Sequence, residues 1–319
     1  MHKLVGWTMT LLVVIATAVA FAPRPHPEFP APVTRPDRLL VNGVALAGPR
    51  WVVAGELGRI LYSDDRGGHW REAVVAPQRA ATFTQLRFVD DRVGLALGHD
   101  GWIVRTEDGG AHWTEVHFDA ERAEPLLDLA VLDAQSLRAT GAFGRLLRSD
   151  DGGRHWRAAD AGLGDLHLYG VAALDARTLV VVGEQGFVSR SDDGGEHWAP
   201  VAPFYRGSLF GVLKLSATEM LAFGMKGSVY RSADAGRHWQ AVASPTTAAL
   251  YGGTVLRDGR VVLVGQGGVV LVSRDGGSRF EAWPSAPGSL AAVAGGADDH
   301  LLLAGERGAE WRPLRADRP

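Results

Sequence analysis

Between Arg38 and Pro313 the chain alternates short apolar runs with glycine and aspartate. Runs such as Leu86–Asp90, Val93–Leu97, Tyr169–Leu174 and Thr178–Val182 are rich in valine, leucine and aromatics and are bounded by Gly and Asp. That is the pattern of β-strands, and no stretch after the first two dozen residues keeps a helical period. The runs come in sets with a fixed grammar. A first strand is followed by a short turn, a second strand, a G-x-x-G turn, a third strand, and then a polar octet from whose aromatic residue a fourth strand is expected to start, as at Trp113–His117.

The octet reads S/T-x-D-x-G-x-x-W/F and is written six times, at Ser63–Trp70, Thr106–Trp113, Ser149–Trp156, Ser191–Trp198, Ser232–Trp239 and Ser273–Phe280, about 41–43 residues apart. A period of that size marks a repeat architecture. The G-x-x-G turn occurs seven times, from Gly55–Gly58 to Gly305–Gly308, and the last unit has lost its octet. Seven four-stranded units arranged radially make an all-β, seven-bladed β-propeller.

The chemistry of the octet points to structure. Asp65, Asp108, Asp151, Asp193, Asp234 and Asp275 are expected to accept backbone N–H groups two residues on and so close a tight turn. Gly67, Gly110, Gly153, Gly195, Gly236 and Gly277 permit the positive φ that such a turn demands. Trp70, Trp113, Trp156, Trp198, Trp239 and Phe280 are expected as apolar plugs between strands. Six equivalent carboxylates around a ring cannot converge on one substrate or one ion. The histidines before the aromatic (His69, His112, His155, His197 and His238) are likewise spread too widely to share a metal, and are read as packing and hydrogen bonding within each turn. No metal site and no cofactor is expected.

Arg105, Arg148, Arg190 and Arg231 precede the octet in four units. They are read as outward-facing residues in solvated ion pairs, with a binding stripe as the alternative. The face opposite the octets carries the G-x-x-G turns and the connections between blades. Its residues differ from unit to unit, as a repeat protein requires of a specific surface. Candidates for partner binding there are Glu184 and Lys226 from the turns, Tyr205 and Arg206 from a connection, and Tyr169, Phe210 and Tyr251, which start successive first strands 41 residues apart. Aromatics beside arginine are the usual material of interface hot spots.

The start of the chain is of another kind. His2 and Lys3 precede an uncharged run to Ala22 with a small-x-small sequence, Ala18-Val19-Ala20, the form of an export signal. Residues 1–22 are read as a cleaved signal peptide or a retained membrane anchor, and either places the remainder outside the cytoplasm, in or facing a bacterial periplasm. Residues 23–37 form a proline-rich linker, 38–313 the propeller, and 314–319 a tail. The seventh unit supplies three strands, so a segment within Phe29–Arg38 is expected to pair outside Glu310–Arg312 and cover the exposed edge. A net charge of −3 gives no electrostatic case for nucleic acid, and the absence of cysteine removes disulfides, thiolate metal sites and a cysteine nucleophile.

The octet resembles the Asp-box, or bacterial neuraminidase repeat. Paired with the G-x-x-G turns over roughly Val41 to Trp311, it is similar to the photosystem II stability/assembly-factor family of propellers, including its non-photosynthetic bacterial relatives. That resemblance implies a non-enzymatic scaffold whose partner is a protein, in a membrane complex or beside a transporter. The Asp-box also occurs in glycoside hydrolases, which makes a sialidase-like or two-carboxylate glycosidase the alternative. The sialidase Phe/Tyr-Arg-Ile-Pro signature is absent, and units of nearly constant length leave no long insertion to build a pocket.

Overall fold

The computed structural model describes residues 2–21, 36–295 and 299–314. Residues up to Val33 form one compact unit and the remainder another. In the first, His2–Ala20 is a 19-residue α-helix, and no helix among the described residues is long and apolar enough to cross a membrane.

The second unit is a seven-bladed β-propeller. Blades one to six each contain four antiparallel strands in simple sequence order, typified by blade four: Leu168–Ala173, Leu179–Gly183, Val188–Ser191 and Ala199–Pro200. First strands of neighbouring blades touch all the way round, including those of blades seven (Leu290–Gly295) and one (Val41–Ala47), which closes the ring. Second strands are buried along their whole length in blades two to six, because the adjoining blades cover both of their faces. Apolar clusters therefore lie between blades. One joins Val41, Val53 and Leu61 of blade one to Leu302 and Ala304 of blade seven, so ring closure is itself a hydrophobic contact.

Each G-x-x-G turn is a tight hairpin, and blade four shows why both glycines are needed. A Cβ on Gly183 would stand 2.3 Å from the carbonyl of His167, where the first strand begins. Gln185 and Gly186 are both left-handed (φ 55° and 74°), as a two-residue hairpin of matching twist requires. A Cβ on Gly186 would also strike the Tyr205 carbonyl in the following connection.

Three features differ from the sequence expectation. The fourth strand begins at His112 in blade two, and in the other blades one residue after the aromatic, as at Arg71 and Arg157. Blade two gains a fifth strand, since Val74–Ala76 of the preceding connection runs parallel to His112–His117 on its outer edge. Of the segment expected to cover blade seven, Pro36–Arg38 is a 3-10 turn against the strand Gly308–Pro313 rather than a strand; residues 29–35 lie outside the described residues.

Candidate functional site

The octets form nearly identical turns on one face. In blade three, Ser149 Oγ donates to Asp151 Oδ1 at 2.8 Å and accepts from the Gly153 N–H at 2.9 Å. Asp151 Oδ1 also accepts the N–H groups of Arg154 and His155, both at 3.0 Å. The carboxylate thus reaches three and four residues on, not two as expected. Trp156 Nε1 then returns to the Gly153 carbonyl at 3.1 Å. Trp113, Trp239 and Phe280 are buried, while Trp70, Trp156 and Trp198 are half-buried. Each of the five histidines turns Nδ1 to its own aspartate Oδ2 at 2.5–2.7 Å, with the imidazole exposed. Among the described residues no group of acids and histidines is arranged to hold a metal.

These contacts lower the aspartate pKa values. Backbone N–H groups of His69 and His197 hold Asp65 and Asp193 well below the usual carboxylate range. Burial works against ionisation of Asp108 and Asp234, but hydrogen bonds from His112 and His238 outweigh it and bring both to about 2. An aspartate so depressed, and so fully occupied, is a turn element rather than a proton donor.

The arginine ladder is not a solvated row. Arg105 and Arg190 are buried, and their Nε–H groups donate at 2.8 Å to the carbonyls of Gly152 and Ala235, in the octet turn of the next blade. Arg231 reaches Gly276 in the same way at 3.4 Å. Between blades three and four this bond comes from Arg138 on the neighbouring strand, to Gly194 at 2.8 Å. Arg148 instead pairs with Asp150 and with Glu196 of blade four. Between blades one and two Arg50 supplies it, to Gly109 at 3.2 Å. The expected ion pairs with neighbouring acids are present, Arg105 with Glu107, Arg190 with Asp192 and Arg231 with Glu219, but Arg105 and Arg190 are buried rather than solvated, and at five successive interfaces an arginine also ties one blade to the next.

The opposite face converges on the channel. Every first strand carries a β-bulge, a device that re-aims a side chain. The seven unpaired residues (Asn42, Thr84, Leu127, Tyr169, Phe210, Tyr251 and Ala291) all line one central cavity of about 130 Å³. The ring is asymmetric. Asn42 and Thr84 donate to the carbonyls of Phe83 and Leu126, one blade on. Tyr169, Phe210 and Tyr251 pack in series, the first pair edge-on and the second tilted, with ring centroids 5.3 and 5.6 Å apart. His167 and Phe143 continue that arc outward. Phe143 is held left-handed (φ 53°), an uncommon state for a bulky residue, and the residue is 56% exposed. Leu57, Phe143, Met225 and Tyr251, four of the exposed large apolar side chains of the propeller, stand on this face.

The other candidates divide. Lys226 and Arg206 are exposed there. Glu184 is half-buried: its Oε2 accepts the His167 N–H at 3.4 Å, and burial followed by the Glu184 charge raises the Tyr169 phenol pKa. Tyr205 is half-buried, with its hydroxyl on the Met225 carbonyl at 3.1 Å and its ring 5.3 Å from Tyr230, so it belongs largely to blade five. Asp128 was not foreseen. It is buried at the cavity wall, where Oδ1 accepts Gln85 Nε2, the Leu129 N–H and Arg87 Nη2 while Oδ2 accepts the Val171 N–H. A signal for it exists in the repeat. Blades one, four, five and six have glycine at this position (Gly43, Gly170, Gly211 and Gly252); a Cβ would crowd the adjacent first strand at Gly43, Gly170 and Gly252, and the Phe223 ring at Gly211. Gln85 and Asp128 are the polar departures, and their side chains span the same gap with hydrogen bonds.

These features define a seven-bladed β-propeller with a tied octet face and a variable, partly aromatic channel mouth. A model of the family "Photosynthesis system II assembly factor YCF48" matches residues 106–285, and the chain belongs to that family. Comparison with curated proteins gives no match. A solved structure of YCF48 bound to D1 peptide is 18% identical, with a TM-score of 0.70 over 91% of this chain and 100% of that one. YCF48 from Cyanidioschyzon merolae is 17% identical, with a TM-score of 0.68 over 87% and 96%. The GH74 xyloglucanase from Xanthomonas campestris is also 17% identical, with a TM-score of 0.67, but this chain spans 52% of its length. At such identities these likenesses establish the fold alone.

Proposed function

We propose that this protein is a non-enzymatic scaffold that binds a protein partner across the channel mouth, as an assembly, stability or accessory factor for a membrane complex on the extracytoplasmic side. The observation that carries this reading is the arc Phe143–His167–Tyr169–Phe210–Tyr251, with exposed apolar tips and a bulky residue held in the left-handed region. An exposed aromatic patch rimmed by Arg206 and Lys226 is the composition of an interface centre. The family supports a protein ligand, since one member has been solved with a peptide bound.

The glycoside hydrolase reading draws on the GH74 likeness. It needs two carboxylates across a cleft. Asp128 is the one acid among the residues lining the central cavity, and four donors occupy its oxygens. Capture of partners from native membranes tests the proposal. A Phe143→Ala, Tyr251→Ala double variant should lose the partner, equivalent to about 2 kcal/mol or more at a hot spot. Undiminished capture by a folded variant, or release of oligosaccharide from xyloglucan by the wild-type chain, would overturn it.

A further inference from the structure

The channel has a second end, separate from the partner face. There the last residues of the first strands of blades two to six line an open cavity of about 310 Å³. Two charged side chains line it, Arg87 and Lys214, and both are cations; apart from Thr254, the remaining lining residues are apolar or glycine.

Arg87 is ion-paired with Asp128, and among the described residues Lys214 is not ion-paired. Arg87 Nη2 lies 3.3 Å from Asp128 Oδ1, but that carboxylate already takes the Gln85 amide and two backbone N–H groups. A guanidinium has five N–H donors, and Arg87 Nε is shut away from solvent without an acceptor. Lys214 Nζ donates to the Leu174 carbonyl, which carries no charge. Asp175 feels the lysine but is not part of the lining, and its Oδ1 holds the N–H groups of Arg177 and Thr178. With Asp128 counted, the channel keeps one surplus positive charge beside apolar walls, where charges interact more strongly than in water.

We propose that this end of the channel binds a small aliphatic carboxylate. One surplus charge suits a monoanion, and a planar carboxylate suits the guanidinium fork. The head group would sit between Arg87 and Lys214, with its tail along Ala172, Leu213 and Val255. The same chemistry could come from a free short-chain acid or from the C-terminus of a peptide.

Titration calorimetry of the full chain at low salt tests this, with hexanoate as probe and hexanol and hexylamine as controls. Hexanoate should bind saturably and the two controls should not. Lys214→Gln, which changes an exposed side chain, and Arg87→Gln should each weaken binding about tenfold or more. An N-acetylated apolar tripeptide and its C-terminal amide separate the sources: tighter binding of the acid peptide than of hexanoate assigns the site to a chain terminus, and the reverse to a free acid. No saturable binding of either acid, equal binding by both variants, or equal binding of hexylamine or the peptide amide would overturn the proposal.

Discussion

Arg105 of blade two donates its Nε–H to the carbonyl of Gly152, in the octet turn of blade three, at 2.8 Å. The side chain is buried and also pairs with Glu107. It does for one interface what Arg50, Arg138, Arg190 and Arg231 do for others. Replacing it strands the Gly152 carbonyl and takes one of two arginine partners from Glu107, which keeps Arg154. Arg105→Ala should cost about 1–3 kcal/mol, and Arg105→Lys should restore little, since an ammonium cannot serve both acceptors with the same planar fork. Urea denaturation of the three proteins measures this; equal midpoints would mean that the bridge contributes nothing.

The octet aromatics should not be equivalent. Trp113 is 1% exposed and packs edge-on to Phe88, with centroids 6.1 Å apart. Trp113→Ala should cost about 3–5 kcal/mol, as expected for emptying a buried aromatic site. Trp156 is half-buried and its removal should cost clearly less. A larger loss for Trp156→Ala would contradict this account of the turn.

Acid should act through the octets. Their aspartates have folded pKa values depressed below the unfolded value, reaching about 2 at Asp108 and Asp234. Such groups contribute stability that is fully present above about pH 4 and lost as pH falls through the folded value. The urea midpoint should therefore drop steeply below about pH 4, after a smaller decline below about pH 6.5 from His117, whose pKa is lowered by burial. A chelator should leave the melting temperature unchanged at neutral pH, because the carboxylates ligate backbone. A large loss on chelation would show that the aspartates hold an ion.

Tyr205 and Arg206 should separate stability from binding. Tyr205 is tied to Met225 and packed near Tyr230, so Tyr205→Ala should lower the melting temperature and cost about 0.5–3 kcal/mol. Arg206 is exposed, and Arg206→Ala should stay within about 0.5 kcal/mol. Partner capture at a temperature where both variants are folded then reports on the arginine alone. Full capture by Arg206→Ala would remove it from the proposed surface.

Blade number, the position of each octet and the sorting of turns onto two faces were all legible in the chain. Each is a local matter of Asp, Gly and Ser chemistry within eight residues, repeated at a fixed period. So was the arc of Tyr169, Phe210 and Tyr251, because equal spacing in a ring fold means equal depth. Other features needed the tertiary structure. The period says that Arg105 and Arg190 are equivalent, but not that each bends away from its own blade to reach a carbonyl 45–47 residues later. It does not say that Asp128 would join blades two, three and four, or that Val74–Ala76 would become a parallel edge strand. These contacts depend on how closely neighbouring first strands approach and on what fills the gap. That distance is set when seven blades close a ring together, and no single repeat contains it.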